Sequence, residues 1–198
     1  MSMYVFGNGE SRTSIDIDKL DGPKIGCNAI YRDYHMDHLI CVDRRMVNEA
    51  LENQVNENGT YVHTRKDWFN NFQNKKKLRI VPDLPYCGSE RADEPFHWGS
   101  GPYAVLLAAK KSKNETVNLL GFDLYSKDTR VNNVYKSTSH YDNGTKRAVD
   151  PRYWIHQIGK TFECFKKVKF IVYAEDNWTL PKQWKYSNVS LDKISNLV

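Results

Sequence analysis

The chain has 198 residues, 40% of them hydrophobic and 27% charged, with a formal net charge of +5. That is enough for a real core in one larger domain, taken as residues 1–198, and excludes a disordered or fibrous class. No apolar run is long enough to span a bilayer and no basic-then-apolar leader is visible, so cytoplasmic residence is the expectation. In chain order, residues 3–6 read as a first strand running into Gly7-Asn8-Gly9-Glu10-Ser11. Two glycines, an amide and a hydroxyl at a strand end make a tight loop that a phosphate can approach. Ile15, Ile17 and Leu20 are spaced for a short element that packs back on the sheet. Residues 24–29, 38–42, 61–64 and 77–81 read as further strands, with a polar-aromatic loop at Tyr31–Tyr34 and a helix over 44–53.

Residues 83–99 form a long irregular connection, the kind that often carries function. A helix follows over 100–111, with Ser100 placed to cap it. Residues 117–122 are a strongly apolar strand ending on Asp123. A long polar stretch at 126–150 precedes a helix over 152–166, a last core strand over 169–174, and a tail with two tryptophans and a short amphipathic segment from Leu191. Strands alternating with helices predict an α/β fold: a mostly parallel, Rossmann-like sheet covered by helices on both faces. Three strands end on polar residues, Asn8, Asp43 and Asp123, and ligands of such sheets bind beyond the carboxyl ends of the strands.

The four cysteines form no C-x-x-C pair and read as buried, reduced thiols. His35 and His38 lack a third ligand at motif spacing, so no metal and no other cofactor is expected. The mild positive charge suits an anionic ligand or weak contact with a membrane surface. Its scattered distribution does not suggest a nucleic-acid partner.

Several short motifs resemble one family. Gly7-Asn8-Gly9-Glu10-Ser11 followed by Ile15-Asp16, then Cys27-Asn28-Ala29-Ile30-Tyr31, is similar to the opening of the small bacterial sialyltransferases that decorate lipooligosaccharides. Gly99-Ser100-Gly101-Pro102-Tyr103 at a helix start, Leu120-Gly121-Phe122-Asp123-Leu124-Tyr125 at a strand end, and Ser139-His140-Tyr141 agree with the family's later motifs. The resemblance implies a Rossmann-like domain with a lid, here residues 126–150, and metal-independent, inverting transfer from a CMP-linked sugar to a glycan acceptor. It also implies that Asn8 and Gly9 meet the donor near its phosphate; Gly7 and Ser11, in the same loop, are expected to line the donor site with them. Asn28 would meet the nucleotide, and Ser100 and Gly101 would hold the donor through a helix start. Asp43 could read a ribose or base edge. Tyr125 would bond the leaving phosphate, and Tyr135 would be the second lid tyrosine.

The chain departs from the family in four ways: it is shorter than typical members, its second lid tyrosine is out of register, and two further differences touch the chemistry. Glu10 replaces a proline and sets a carboxylate beside the phosphate site, which repels unless Arg12 or a metal compensates. The family's catalytic histidine has no counterpart at its offset, where Asp142 and Asn143 stand; His140 is then the nearest candidate base and His156 the second. Asp123 more readily orders a backbone turn than takes part in chemistry. Two other readings stay open. One is a Mg²⁺-dependent phosphotransferase of the pterin pyrophosphokinase type, using Glu10, Asp43 and Asp123. The other is a non-catalytic nucleotide binder.

Overall fold

The computed structural model describes residues 2–72, 74–125 and 128–197. Eight strands form one sheet: β1 (Met3–Phe6), β2 (Lys24–Cys27), β3 (His38–Ile40), β4 (Tyr61–Thr64), β5 (Leu78–Ile80), β6 (Thr116–Leu120), β7 (Lys169–Ala174) and β8 (Val189–Lys193). Their order is β5-β4-β3-β2-β1-β6-β7-β8, and every pairing is parallel. The fold is therefore α/β and Rossmann-like, with the sheet wholly rather than mostly parallel.

Period-two alternation sends neighbouring residues to opposite faces. Val5, Ile25, Leu119 and Val172 face a core built with the helices α3 (Ser100–Lys111) and α4 (Arg152–Cys164). Phe6, Leu39, Cys41, Val62 and Leu120 face a second core that includes α1 (Arg44–Glu52). A strand buried on both faces reads as an unbroken apolar run, which is why the central strands are plain in the sequence.

Two elements were not expected. Helix α2 (Lys66–Asn71) has no buried residue, and β8 is an edge strand whose Leu191 is largely exposed. The segment read as amphipathic from Leu191 is this strand. Trp184 anchors it: the indole is fully buried, packs 5.4 Å from the Phe162 ring, and its Nε1–H donates to Ile155 O at 2.8 Å. Tyr31–Tyr34 is not an open loop; a 3-10 turn runs over Asn28–Arg32. Only Cys27 and Cys41 are buried, whereas Cys87 and Cys164 are exposed.

From β1 the chain crosses to β2 on one side, and from β6 to β7 on the other. The order in which strands are added thus reverses between β1 and β6, and the crevice beyond their carboxyl ends is the natural ligand position of such a sheet. No helix among the described residues is long and apolar enough to cross a membrane.

Candidate functional site

The backbone ladder between β1 and β6 continues past the strands: Gly7 N–H donates to Leu120 O at 2.8 Å and Gly9 N–H to Gly121 O at 2.9 Å. A Cβ on Gly7 would overlap Gly121 O, and one on Gly9 would overlap the Asp123 carboxyl. These glycines are needed for close approach. The Asp123 carboxylate accepts from Ser11 N–H at 2.9 Å and from the Ser11 hydroxyl. Asp123 thus orders the loop beside β1, as its residue type suggested.

Beside this pair of loops opens a cavity of about 460 Å³, lined by Glu10, Ser11, Asp123, Tyr125, Lys136 and Trp178 among others. Trp178 Nε1–H donates to Asp123 O at 2.6 Å, so the tail forms part of the wall. Glu10 carries a carboxylate into it. Arg12 turns instead to the Tyr135 hydroxyl, and Lys136, from the polar stretch, forms the ion pair with Glu10. Asn132 Oδ1 accepts from Glu10 N–H at 2.8 Å.

A second polar group lies toward β2. Asn8 Nδ2 donates to Cys27 O at 3.2 Å and to the Tyr141 hydroxyl at 3.4 Å, and Ala29 N–H donates to the same hydroxyl at 3.4 Å. Asn28 adopts φ of 53°, a left-handed conformation that Asn tolerates. Among the described residues, Oδ1 of Asn8 and Oδ1 of Asn28 are buried without a hydrogen-bond partner. Burial pushes the Cys27 thiol up to about 12, so it stays protonated and inert. Burial likewise raises the Tyr135 and Tyr141 hydroxyls, which remain neutral.

Residues 131–144 lie across the strand ends between these two groups. Val134 N–H donates to Asn8 O at 2.8 Å, and Arg32 donates to Thr138 Oγ1 at 2.9 Å and Ser139 O at 3.1 Å. Tyr135 is buried and meets Arg12 and Asp33 rather than standing over the cavity. Tyr135 and Tyr141, together with Val134 and the Arg32 bonds, hold this segment to the body.

The remaining expected residues are more scattered. Tyr125 reaches the cavity and is half-exposed. Asp43 caps α1, accepting from Arg45 N–H at 3.0 Å. Ser100 is not the cap of α3; Gly99 holds that position, and Ser100 Oγ instead accepts from Val42 N–H at 3.1 Å, tying the end of β3 to the helix start. A Cβ on Gly101 would meet Phe122 at an ordinary 3.5 Å, so nothing there requires glycine. His140 lies away from the cavity, with Nε2 3.3 Å from Glu49 on α1. His156 bonds Asp93 at 2.7 Å, between α4 and the 83–99 connection. Among the described residues, no three His, Cys, Asp or Glu side chains gather as a metal site, and Glu10, Asp43 and Asp123 are each engaged separately.

No known protein family matches the sequence, and no curated protein matches it. The solved structure of the sialyltransferase CST-II in complex with a trisaccharide acceptor and CMP aligns with a TM-score of 0.51 at 14% identity. The alignment covers 87% of this chain and 80% of that one. An X-ray structure of a point mutant of the α-2,3/8-sialyltransferase CstII aligns at 0.48 with 16% identity, covering 87% and 81%. The chain has the fold of the first of these sialyltransferases.

At that identity the sialyltransferase likeness is one of fold, and the site residues are read from this chain. Sequence reasoning did not select Asn132, Lys136 or Trp178. Their partners at Glu10 and Asp123 lie far away in the chain, and no spacing signals such a contact. Tyr141 was within reach, as the last residue of the Ser-His-Tyr motif.

Proposed function

We propose that the protein is a glycosyltransferase that takes a nucleotide-linked sugar, with cytidine as the nucleoside, and transfers the sugar to a glycan acceptor without a metal. The observation that carries this reading is the pair of buried carboxamide oxygens, Asn8 Oδ1 and Asn28 Oδ1, without partners among the described residues at the ends of β1 and β2. A buried acceptor left unpaired costs about 1–3 kcal/mol. Ribose hydroxyls and the amino group of cytosine are donors that would satisfy both. The phosphate of a nucleotide-linked sugar is not, because as a diester it carries no proton at neutral pH and its oxygens only accept. The shared fold supports the reading, as does the CMP and trisaccharide acceptor held by the sialyltransferase described above.

In this account the nucleotide lies over Asn8 and Asn28, and the sugar reaches the 460 Å³ cavity where Ser11 and Tyr125 stand. The acceptor hydroxyl loses its proton to a base as its oxygen bonds the anomeric carbon. The bond from that carbon to the phosphate oxygen breaks, the electron pair leaves on the phosphate, and the anomeric configuration inverts. His140 is the base only if residues 131–144 lift it off Glu49; Glu10 already stands on the cavity wall. That placement of His140 is also what favours the second reading, a nucleotide-sugar binder without transfer.

The test is turnover. With a CMP-linked sugar and a panel of glycan acceptors, the account expects release of CMP coupled to a glycosylated product, unaffected by EDTA. Binding of the CMP-sugar without product selects the binder. Binding of ATP or GTP only with Mg²⁺, and none of any cytidine nucleotide, selects the phosphotransferase.

A further inference from the structure

Arg12 lies within the 3-10 turn Glu10–Ser14 and is 2% exposed. Removing a guanidinium from water is costly unless its donors and its charge are matched. Here neither is. Nη2 donates to the Tyr135 hydroxyl at 2.9 Å, a neutral oxygen, and that hydroxyl passes its own proton to Asp33 Oδ2 at 2.6 Å. The carboxylate is one bond removed from the cation. Nε–H is buried and has no partner among the described residues. The rings of Tyr34 and Tyr135 cover the guanidinium, at 6.0 and 5.4 Å. Neighbouring cations are already matched: Arg32 forms two bonds of 2.8 Å with the Glu49 carboxylate, and Lys136 pairs with Glu10.

A second set of donors lies alongside. Asn8 Nδ2 and Ala29 N–H converge on the Tyr141 hydroxyl at 3.4 Å each, the long end of hydrogen bonding. The Tyr135 and Tyr141 rings are 5.8 Å apart. A guanidinium, an amide and a backbone N–H thus surround two neutral oxygens carried by one segment. This donor set fits an anion better than it fits two phenols.

We propose that Arg12 is the phosphate-binding cation of the site, and that the phosphate of the nucleotide takes the position the Tyr135 hydroxyl holds in this structure, with the exposed Asp33 carboxylate, which now accepts from that hydroxyl, turned out to water. The proposal rests on the nucleotide-sugar reading, since it names the charge that would hold that donor and receive its leaving group. Tyr135 and Tyr141 then compete with the ligand for the same donors, and ligand entry requires residues 131–144 to move aside.

The experiment titrates cytidine, CMP and inorganic phosphate by calorimetry into the wild type and into Arg12→Gln, Arg12→Lys and Tyr135→Phe. The wild type should bind CMP about tenfold to a hundredfold more tightly than cytidine, the worth of a hydrogen bond to a charged group. Arg12→Gln should abolish that preference and leave cytidine affinity unchanged, while Arg12→Lys restores part of it. Tyr135→Phe should tighten CMP, because the competing hydroxyl is gone. If Arg12→Gln keeps the preference, the proposal is overturned, and likewise if the wild type shows no preference. If Arg12→Gln does not fold, Tyr135→Phe decides, with unchanged or weaker CMP binding counting against it. Binding of phosphate that depends on Arg12, with no binding of cytidine or CMP, would keep the anion site and reject the nucleotide reading. Binding of none of the three would reject both.

Discussion

Gly7 and Gly101 sit in two motifs of the same kind, yet their surroundings demand different things. At Gly7 a Cβ would run into Gly121 O, a backbone atom that cannot turn away. Gly7→Ala should therefore cost about 1–3 kcal/mol, as other overpacking changes do, seen as a lower urea midpoint with an unchanged slope. At Gly101, inside α3, the added methyl meets Phe122 at 3.5 Å, and alanine is the better helix former. Gly101→Ala should leave stability equal or raise it by up to about 1 kcal/mol. Equal losses at both positions would mean that the loop contact is not what selects glycine. The tight loop at Gly7–Ser11 was legible in the sequence because its cause is local. What Glu10 and Arg12 do was not. The first depends on Lys136 and the second on Tyr135, and contacts of that separation leave no trace in residue order.

At the scale of elements, the central strands and the three long helices announce themselves by apolar periodicity. The pieces that escape it are α2, which buries nothing, and β8, an edge strand of mostly polar residues pinned through Trp184. A less visible feature joins β3 to β4. His38 Nδ1 and His63 Nε2 are 3.0 Å apart, with the Tyr61 ring stacked on His38. Burial pushes His38 down to about 4; burial and then His38 push His63 down to about 3; Lys111 adds to both, Arg79 to His63, and Asp37 opposes at His38. Above the ordinary histidine value of about 6.5 both rings are neutral, folded or unfolded, and the full stability is present. As pH falls below that value the unfolded chain takes up protons that the folded chain refuses, so stability declines toward pH 4 to 3. Urea midpoints should fall across this window. The double variant His38→Phe, His63→Leu should show a shallower fall, and an identical slope would remove the histidine pair as its cause.

The whole molecule brings the ends of β1, β2 and β6 together around one crevice, and the order of the strands decides where that crevice lies. Fold and crevice were readable in advance because both follow from alternating strands and helices and from polar residues at strand ends. The site within it was readable only in part. Asn8, Asn28, Ser11 and Tyr125 stand at the strand ends, whereas Asp43 caps a helix and His140 and His156 are bonded elsewhere. Asn8 and Asn28 are the residues proposed to receive the cytidine nucleotide. Asn28 offers the sharpest test, because its φ of 53° suits glycine, so Asn28→Gly removes the carboxamide while leaving the backbone unstrained. The decisive measurement is calorimetric titration of CMP into the wild type and Asn28→Gly. Saturable one-to-one binding to the wild type is expected, weakened about fivefold to tenfold by the loss of one hydrogen bond in the variant. Absence of CMP binding to the wild type, or equal affinity in both proteins, would contradict it.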